Sequence, residues 1–328
     1  MGPDTAGLWE GVYQAPNDDA PRAALGQYLS AAGDPRGRFI ALQLQSGGLA
    51  KAQQAEARAL LKAHAAQWLA AVDGVLVARS VTWERGFPVA GALNYGRSSQ
   101  DRDRLVGCRA FATLRSLDLG KSNVVQPRAW CERFLWGTPL RGLETLLGLP
   151  RALLAPLSRS HPPWALQRIS CPAEGGGGPA GIEHEREEIG ELRQSFGVGG
   201  GLPALVDVTL SYAHGGRSTA PYAWLWETGQ GRRLRVLRLN ADPSALPQWH
   251  AQLSACVDVG LQELELFTAS SLTLHRTSAG WTRLTGVLAP ATRGRSADRI
   301  ERERLDLREV LATLGGALTS IDVDGFSG

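Results

Sequence analysis

Leu234-Arg235-Val236-Leu237-Arg238-Leu239 and Leu261-Gln262-Glu263-Leu264-Glu265-Leu266 share one spacing. Each reads as an apolar residue, two variable residues, an apolar residue, one variable residue and an apolar residue. The same spacing fits Leu114/Leu117/Leu119, Leu166/Ile169/Cys171, Leu205/Val208/Leu210 and Leu318/Ile321/Val323, with weaker copies starting at Leu143 and Leu284. Successive starts lie about 23 to 39 residues apart. A unit recurring on that scale cannot bury its apolar face alone and must stack on its neighbours.

The period lies near that of a leucine-rich repeat, so an irregular α/β solenoid is expected from residue 75 to the end. Each copy then supplies a short strand with apolar residues inward and variable residues outward. Helical or irregular segments, such as Trp130 to Trp136 and Pro221 to Glu227, would return the chain. The tryptophans there and nearby (Trp224, Trp226, Trp249) are expected in the core between layers rather than around a ligand. The residue between the last two apolar positions of each copy forms an outward column: Asp118, Ser170, Thr209, Arg238, Glu265 and Asp322. Glu263 and Phe267 lie beside it. Repeat scaffolds bind partners on such extended faces. Asp118, Thr209, Arg238, Glu263, Glu265, Phe267 and Asp322 are therefore the expected partner-binding residues. Arg238 and Glu265 are also placed to pair with each other across neighbouring strands.

Composition narrows the classes further. The chain has 328 residues, 43% apolar and 20% charged, which is ordinary for a globular protein. A net charge of +3 does not point to nucleic acid or an anionic membrane. Only Lys51, Lys62 and Lys121 are lysines; the remaining basic residues are arginines, a bias that genome composition explains and that an Arg-rich interface would also produce. Cys108, Cys131, Cys171 and Cys256 include no close pair, so neither a zinc ribbon nor a redox pair is suggested. No secretory leader and no membrane-length apolar run is visible, and a cytoplasmic location is the expectation.

Residues 1 to 74 read as a helical module. Asn17-Asp18-Asp19 offers N-cap chemistry with Pro21 in a first turn, ahead of a helix over Ala23 to Ala32 that Gly33 can end. Asp34 caps the next helix with Pro35 at its first position. Phe39, Ile40, Leu42 and Leu44 give that helix an apolar surface. Ala50 to Ala71 follows as a longer helix with Leu60, Leu61, His64, Trp68 and Leu69 on one face. Arg36 or Arg38 is expected to pair with Asp18, Asp19 or Asp34. The alternative use of these two arginines is to bind a phosphate or a partner.

Pro16-Asn17-Asp18-Asp19-Ala20-Pro21-Arg22 and Gly33-Asp34-Pro35-Arg36-Gly37-Arg38-Phe39-Ile40-Ala41-Leu42-Gln43-Leu44 resemble the repeat-companion domain. That domain stands at the N-terminus of many leucine-rich-repeat-like proteins of myxobacteria and planctomycetes. Trp83-Glu84-Arg85-Gly86-Phe87-Pro88-Val89 is similar to the segment leading such proteins into their repeats. The resemblance covers roughly residues 8 to 93. One departure falls at Gln27 and Tyr28, where the family usually carries an acidic residue and Trp. The resemblance implies a bacterial protein with a helical module capping a solenoid. It implies no established activity and supplies no catalytic residues.

Two stretches interrupt the repeat. Residues 175–201 place Ile182, Ile189, Leu192 and Phe196 at helical spacing between two glycine runs. Glu183, Glu185, Glu187, Glu188 and Glu191 are expected on the opposite, acidic surface. This reads as a tethered amphipathic arm, either a tolerated insertion or a segment that masks or presents a site. Ser271 to Ala289 reads as a hairpin turning at Thr277-Ser278-Ala279-Gly280. Ala297 to Leu314 reads as an amphipathic helix whose arginines are largely offset by carboxylates, which argues against a nucleic-acid patch.

The chain shows no Gly-x-Ser-x-Gly elbow, no phosphate loop ending in Lys-Ser or Lys-Thr, and no His-Glu-x-x-His. His184 has glutamates on both sides, but consecutive helical residues point in different directions and do not converge on a metal. No catalytic residue, metal or cofactor is expected. The expected role is a non-catalytic protein-binding scaffold, adaptor or regulatory subunit, with no nucleic-acid or membrane partner. The rivals are an inhibitor or protease-sensitive regulator acting through residues 175–201, and an enzyme whose site the sequence does not display.

Overall fold

The computed structural model describes residues 3–45, 49–72, 76–94, 100, 103–120, 128–140, 142–160, 164–172, 179–197, 201–211, 222, 224–241, 243–256, 260–267, 271–287, 308–310, 312–314 and 317–324. The protein is mixed α/β and divides into two compact units, Met1–Gly148 and Leu149–Gly328. No helix among the described residues is long and apolar enough to cross a membrane.

Unit 1 begins with four helices, α1 (Pro3–Gln14), α2 (Asp19–Ala31), α3 (Pro35–Gln43) and α4 (Lys51–Trp68). Asp18 caps α2 by accepting from Ala20 N, so the helix starts at Asp19 rather than at Ala23. Pro21 sits in its first turn, where its missing N–H costs nothing. Asp34 caps α3 by accepting from Arg36 N at 2.8 Å, with Pro35 as the first helical residue. Gly33, at φ 75°, makes the turn between α2 and α3.

The two arginines of this motif do not pair as expected. Arg38 reaches forward to α4 and meets Glu56 in a two-pronged ion pair, Nε to Oε1 at 2.7 Å and Nη2 to Oε2 at 2.8 Å. Arg36 turns inward and is buried. Asp19 pairs with Arg85 at 3.0 Å, and the Asp18 carbonyl accepts from buried Arg22. Val12, Leu25, Leu29, Ile40 and Phe87 form one core cluster, and Phe39, Leu42 and Ala57 a second. The strands of this unit are β1 (Thr82–Glu84), β2 (Phe87–Ala92), β3 (Ser116–Asp118) and β4 (Thr145–Leu147), with the helix α5 (Arg128–Gly137) between the last two. β1 and β2 are antiparallel, whereas β2, β3 and β4 run parallel.

Unit 2 contains α6 (Leu154–Ser158), β5 (Arg168–Cys171), α7 (Pro179–Gly197), β6 (Asp207–Ser211), α8 (Trp224–Glu227), β7 (Val236–Asn240), α9 (Leu246–Ala255), β8 (Glu263–Phe267), β9 (Ser271–Thr277), β10 (Gly280–Val287) and β11 (Ser320–Asp324). β5 to β8 run parallel. β9 and β10 form the expected hairpin, inserted antiparallel to β8, and β11 then pairs parallel with β10. Gly286 permits the tight approach of β10 to β9, because a Cβ there would strike the Ser271 carbonyl oxygen.

The apolar positions of the unit 2 strands meet in register. Ile169, Val208, Leu237, Leu264, Leu274 and Leu284 form one inward row, each buried. Each such leucine contributes about 1.5–3 kcal/mol by leaving water. The row ends on β11 at Ile321, which is 37% exposed. Leu284, read as a repeat start, instead lies inside the hairpin. Trp224 and Trp249 are buried, stacking on Phe196 and packing against Tyr222. The side chain of Trp226 lies outside the described residues.

Helix α7 corrects the expectation of an all-acidic outer face over residues 175–201. Leu192, Ser195 and Phe196 are buried, and so is Glu188. Glu188 lies beside buried Arg151, in the 3-10 turn before α6, instead of facing water with Glu187 and Glu191. The glycine run 175–178, the side chains of Ile182 to Glu185, and Ala297 to Leu307 fall outside the described residues.

Candidate functional site: the polar face of the unit 2 sheet

Alternation along a strand sends every second residue to the face opposite the leucines. Strand register lines these residues up as Ser170, Thr209, Arg238, Glu265, Thr273, Thr285 and Asp322. The hairpin thus inserts Thr273 and Thr285 between Glu265 and Asp322, two members the repeat spacing did not reveal. Asp118 belongs to unit 1, in register with Ala92 and Leu147, and its carboxylate accepts from Gly120 N at 2.8 Å. Phe267 is half-buried at the end of β8, opposite Ser271.

Two residues upstream lies a second outward row: Arg168, Asp207, Val236, Glu263, His275, Arg283 and Ser320. The two rows are tied together by charge. Asp207 Oδ2 accepts from Arg168 Nε at 2.6 Å, and Oδ1 accepts from Arg238 Nη1. Arg238 Nε lies 3.2 Å from Glu265 Oε2, and Glu265 Oε1 accepts from Ser271 Oγ at 2.6 Å. The expected Arg238–Glu265 pair therefore exists, but it is one link of a longer chain centred on Asp207. Burial pulls the Arg238 guanidinium pKa down. The hydrogen bond to Asp207 and the charges of Asp207, Glu265 and Glu263 more than offset that, and the net shift is upward. Two arginines cover Asp207 so completely that its side chain is 7% exposed. Asp207 is legible in the sequence as the outward residue two before Thr209 on the same strand.

Glu263 occupies a separate link. Its Oε1 is 3.7 Å from His275 Nδ1, and His275 Nε2 is 2.8 Å from Thr285 Oγ1. A shallow cleft of about 450 Å³ opens here, lined by Arg235, Gln262, Glu263, His275, Arg276 and Thr277. Arg235 Nη1 closes one side by donating to the Gly260 carbonyl at 2.7 Å.

Along the two rows Arg168, Arg238 and Arg283 face Asp207, Glu263, Glu265 and Asp322, close to charge balance. Such a face does not offer the run of unopposed cations that a phosphate backbone requires. Among the described residues no group of three His, Cys, Asp or Glu side chains is placed to hold a metal ion. The chain matches no protein-family model, no curated protein and no solved structure.

Proposed function

We propose that the chain is a non-catalytic scaffold or adaptor in which a repeat-companion-like helical module precedes a leucine-rich-repeat-like solenoid. The outward face of the unit 2 sheet docks a partner protein. The carrying observation is the in-register row from Ser170 to Asp322 beside its charge-balanced neighbour row. A regular, half-exposed row of hydroxyl and charged side chains can exchange hydrogen bonds with a protein surface. The preformed Arg168–Asp207–Arg238–Glu265 chain holds those groups at low entropic cost. A cytoplasmic location belongs to this reading. The buried contact of Glu188 with Arg151 weighs against the rival in which residues 175–201 swing away from a masked site, since displacement would strip Arg151 of a buried carboxylate.

The test is an affinity pull-down from the source cells with three forms of the protein. These are the intact chain, Thr209→Tyr/Thr273→Tyr on the outward row, and Ala251→Tyr on the exposed side of α9. A partner kept by the intact chain and by Ala251→Tyr but lost by the double variant supports the reading. A partner kept by all three removes the sheet face as the docking surface.

A further inference from the structure

Unit 1 carries a second site that the sheet reading does not use. Arg36 is 8% exposed, yet it forms no ion pair among the described residues. Its Nη2 donates to the Gly86 carbonyl at 3.3 Å, and its Nε is buried without a hydrogen-bond partner. Asp34, the nearest carboxylate in sequence, spends its Oδ1 on the Arg36 backbone N–H. What surrounds the guanidinium instead is aromatic. Its carbon lies 4.7 Å from the Trp9 ring centre, 4.8 Å from Phe87 and 5.8 Å from Trp68. Ring faces attract a cation, but they accept no conventional hydrogen bond and bring no countercharge.

These side chains line a cavity of about 430 Å³ that opens to solvent. That volume suits a small organic molecule. The Tyr13 phenol and the Arg109–Glu10 ion pair stand at the same cavity. Burial raises the Tyr13 pKa, with Arg36 opposing it, so its hydroxyl stays protonated and able to donate. Burial lowers the Arg36 pKa to about 10, so the guanidinium is still charged at neutral pH. Asp34 acts on the guanidinium through its charge, but no carboxylate among the described residues hydrogen-bonds it, and a cation buried so is costly without compensation. A bound anion would supply it. One central guanidinium calls for one negative charge, and the indole and phenyl walls call for a flat apolar body.

We propose that unit 1 binds a small monocarboxylate with a flat apolar body, its carboxylate directed to Arg36 and its body held among Trp9, Trp68 and Phe87. The rival role for Arg36 is a purely structural plug joining α3 to α1, α4 and β2. Phenylacetate and its neutral isostere phenylacetamide separate the two. Calorimetric titration of the intact chain, up to about 10 mM probe, is expected to show phenylacetate binding at least about tenfold more tightly than the amide. Ala6→Phe, on the exposed part of α1 that lines the cavity, is expected to abolish both without lowering the melting temperature. Arg36→Met keeps the apolar stem and is expected to erase the preference for the carboxylate. Equal binding of the two probes by the intact chain, no binding of either, or phenylacetate binding that survives Ala6→Phe each overturns the proposal. The intact-chain comparison decides even where Arg36→Met fails to fold.

Discussion

Arg151 Nε donates to Glu188 Oε2 at 2.7 Å with the two side chains 1% and 6% exposed. The same guanidinium donates through Nη1 to the Ser211 carbonyl at 2.8 Å. One arginine thereby joins the 3-10 turn before α6, the middle of α7 and the end of β6. Among the described side chains of the acidic helix, Leu192, Ser195 and Phe196 are buried beside Glu188. The pair converts an insertion in the repeat spacing into a packed element of unit 2.

Removing one partner of a buried pair costs more than removing both. Glu188→Ala is expected to destabilise unit 2 by about 3–5 kcal/mol in urea unfolding. Arg151→Met/Glu188→Leu should recover most of that loss. A cost for Glu188→Ala no larger than that of a surface change such as Glu191→Ala would mean that the pair does not hold the helix.

Two glycines of the helical region make opposite demands. A Cβ on Gly37 would meet the Ser30 backbone N and the Gly26 carbonyl oxygen, since α2 and α3 pack backbone to backbone there. Gly37→Ala is expected to cost at least about 1–3 kcal/mol through overpacking. Nothing lies within 4 Å of a Cβ on Gly7 in α1. Gly7→Ala there should stabilise by roughly 0.5–1 kcal/mol by restricting the unfolded chain. Thermal unfolding of the two variants should shift in opposite directions.

The repeat spacing made the leucine rows of unit 2 legible, because a period-2 strand placed at fixed offsets leaves little freedom in which face is buried. It also made the hairpin legible, since Thr277 to Gly280 carries turn chemistry between two alternating runs. What it could not show was pairing between distant residues. Arg36 and Arg38 stand two apart in one motif, yet one is buried among rings and the other takes Glu56 eighteen residues on. Glu188 looks like its neighbours in a run of glutamates, and only the position of Arg151, 37 residues earlier, makes it a buried residue. Asp207 lies in a second outward row two residues upstream of the repeat column. Thr273 joins the column itself, but on a hairpin strand that carries no copy of the repeat spacing.

Exposed Arg38 and Glu56 offer a pH readout. The hydrogen bond from Arg38, with its charge, holds the Glu56 carboxyl below its ordinary 4.5. A carboxylate depressed in the folded state adds stability above its unfolded pKa and loses it as pH falls through the folded value. Carbon-13 NMR titration should therefore place Glu56 below 4.5 in the intact chain. Arg38→Gln should return it towards that value. Because both side chains face solvent, added salt should shrink the difference. A Glu56 titration unmoved by Arg38→Gln would rule out the pair in solution.

Asp207 should matter more to the sheet than any other outward residue. It accepts from both Arg168 and Arg238 and is itself nearly buried, so its loss leaves two guanidiniums facing each other across a vacated position. Asp207→Asn keeps the shape and removes the charge. It is expected to cost about 1.5–3 kcal/mol, the range for hydrogen bonds to a charged group. Asp322→Asn, on the exposed strand β11, should stay within about 0.5 kcal/mol of the intact chain. Arg238→Met is expected to cost less than Asp207→Asn, since Asp207 then keeps Arg168 and Glu265 keeps the Ser271 hydroxyl. Urea midpoints for the three variants rank these effects directly. Equal midpoints for Asp207→Asn and Asp322→Asn would show that the charged chain does not organise the sheet face.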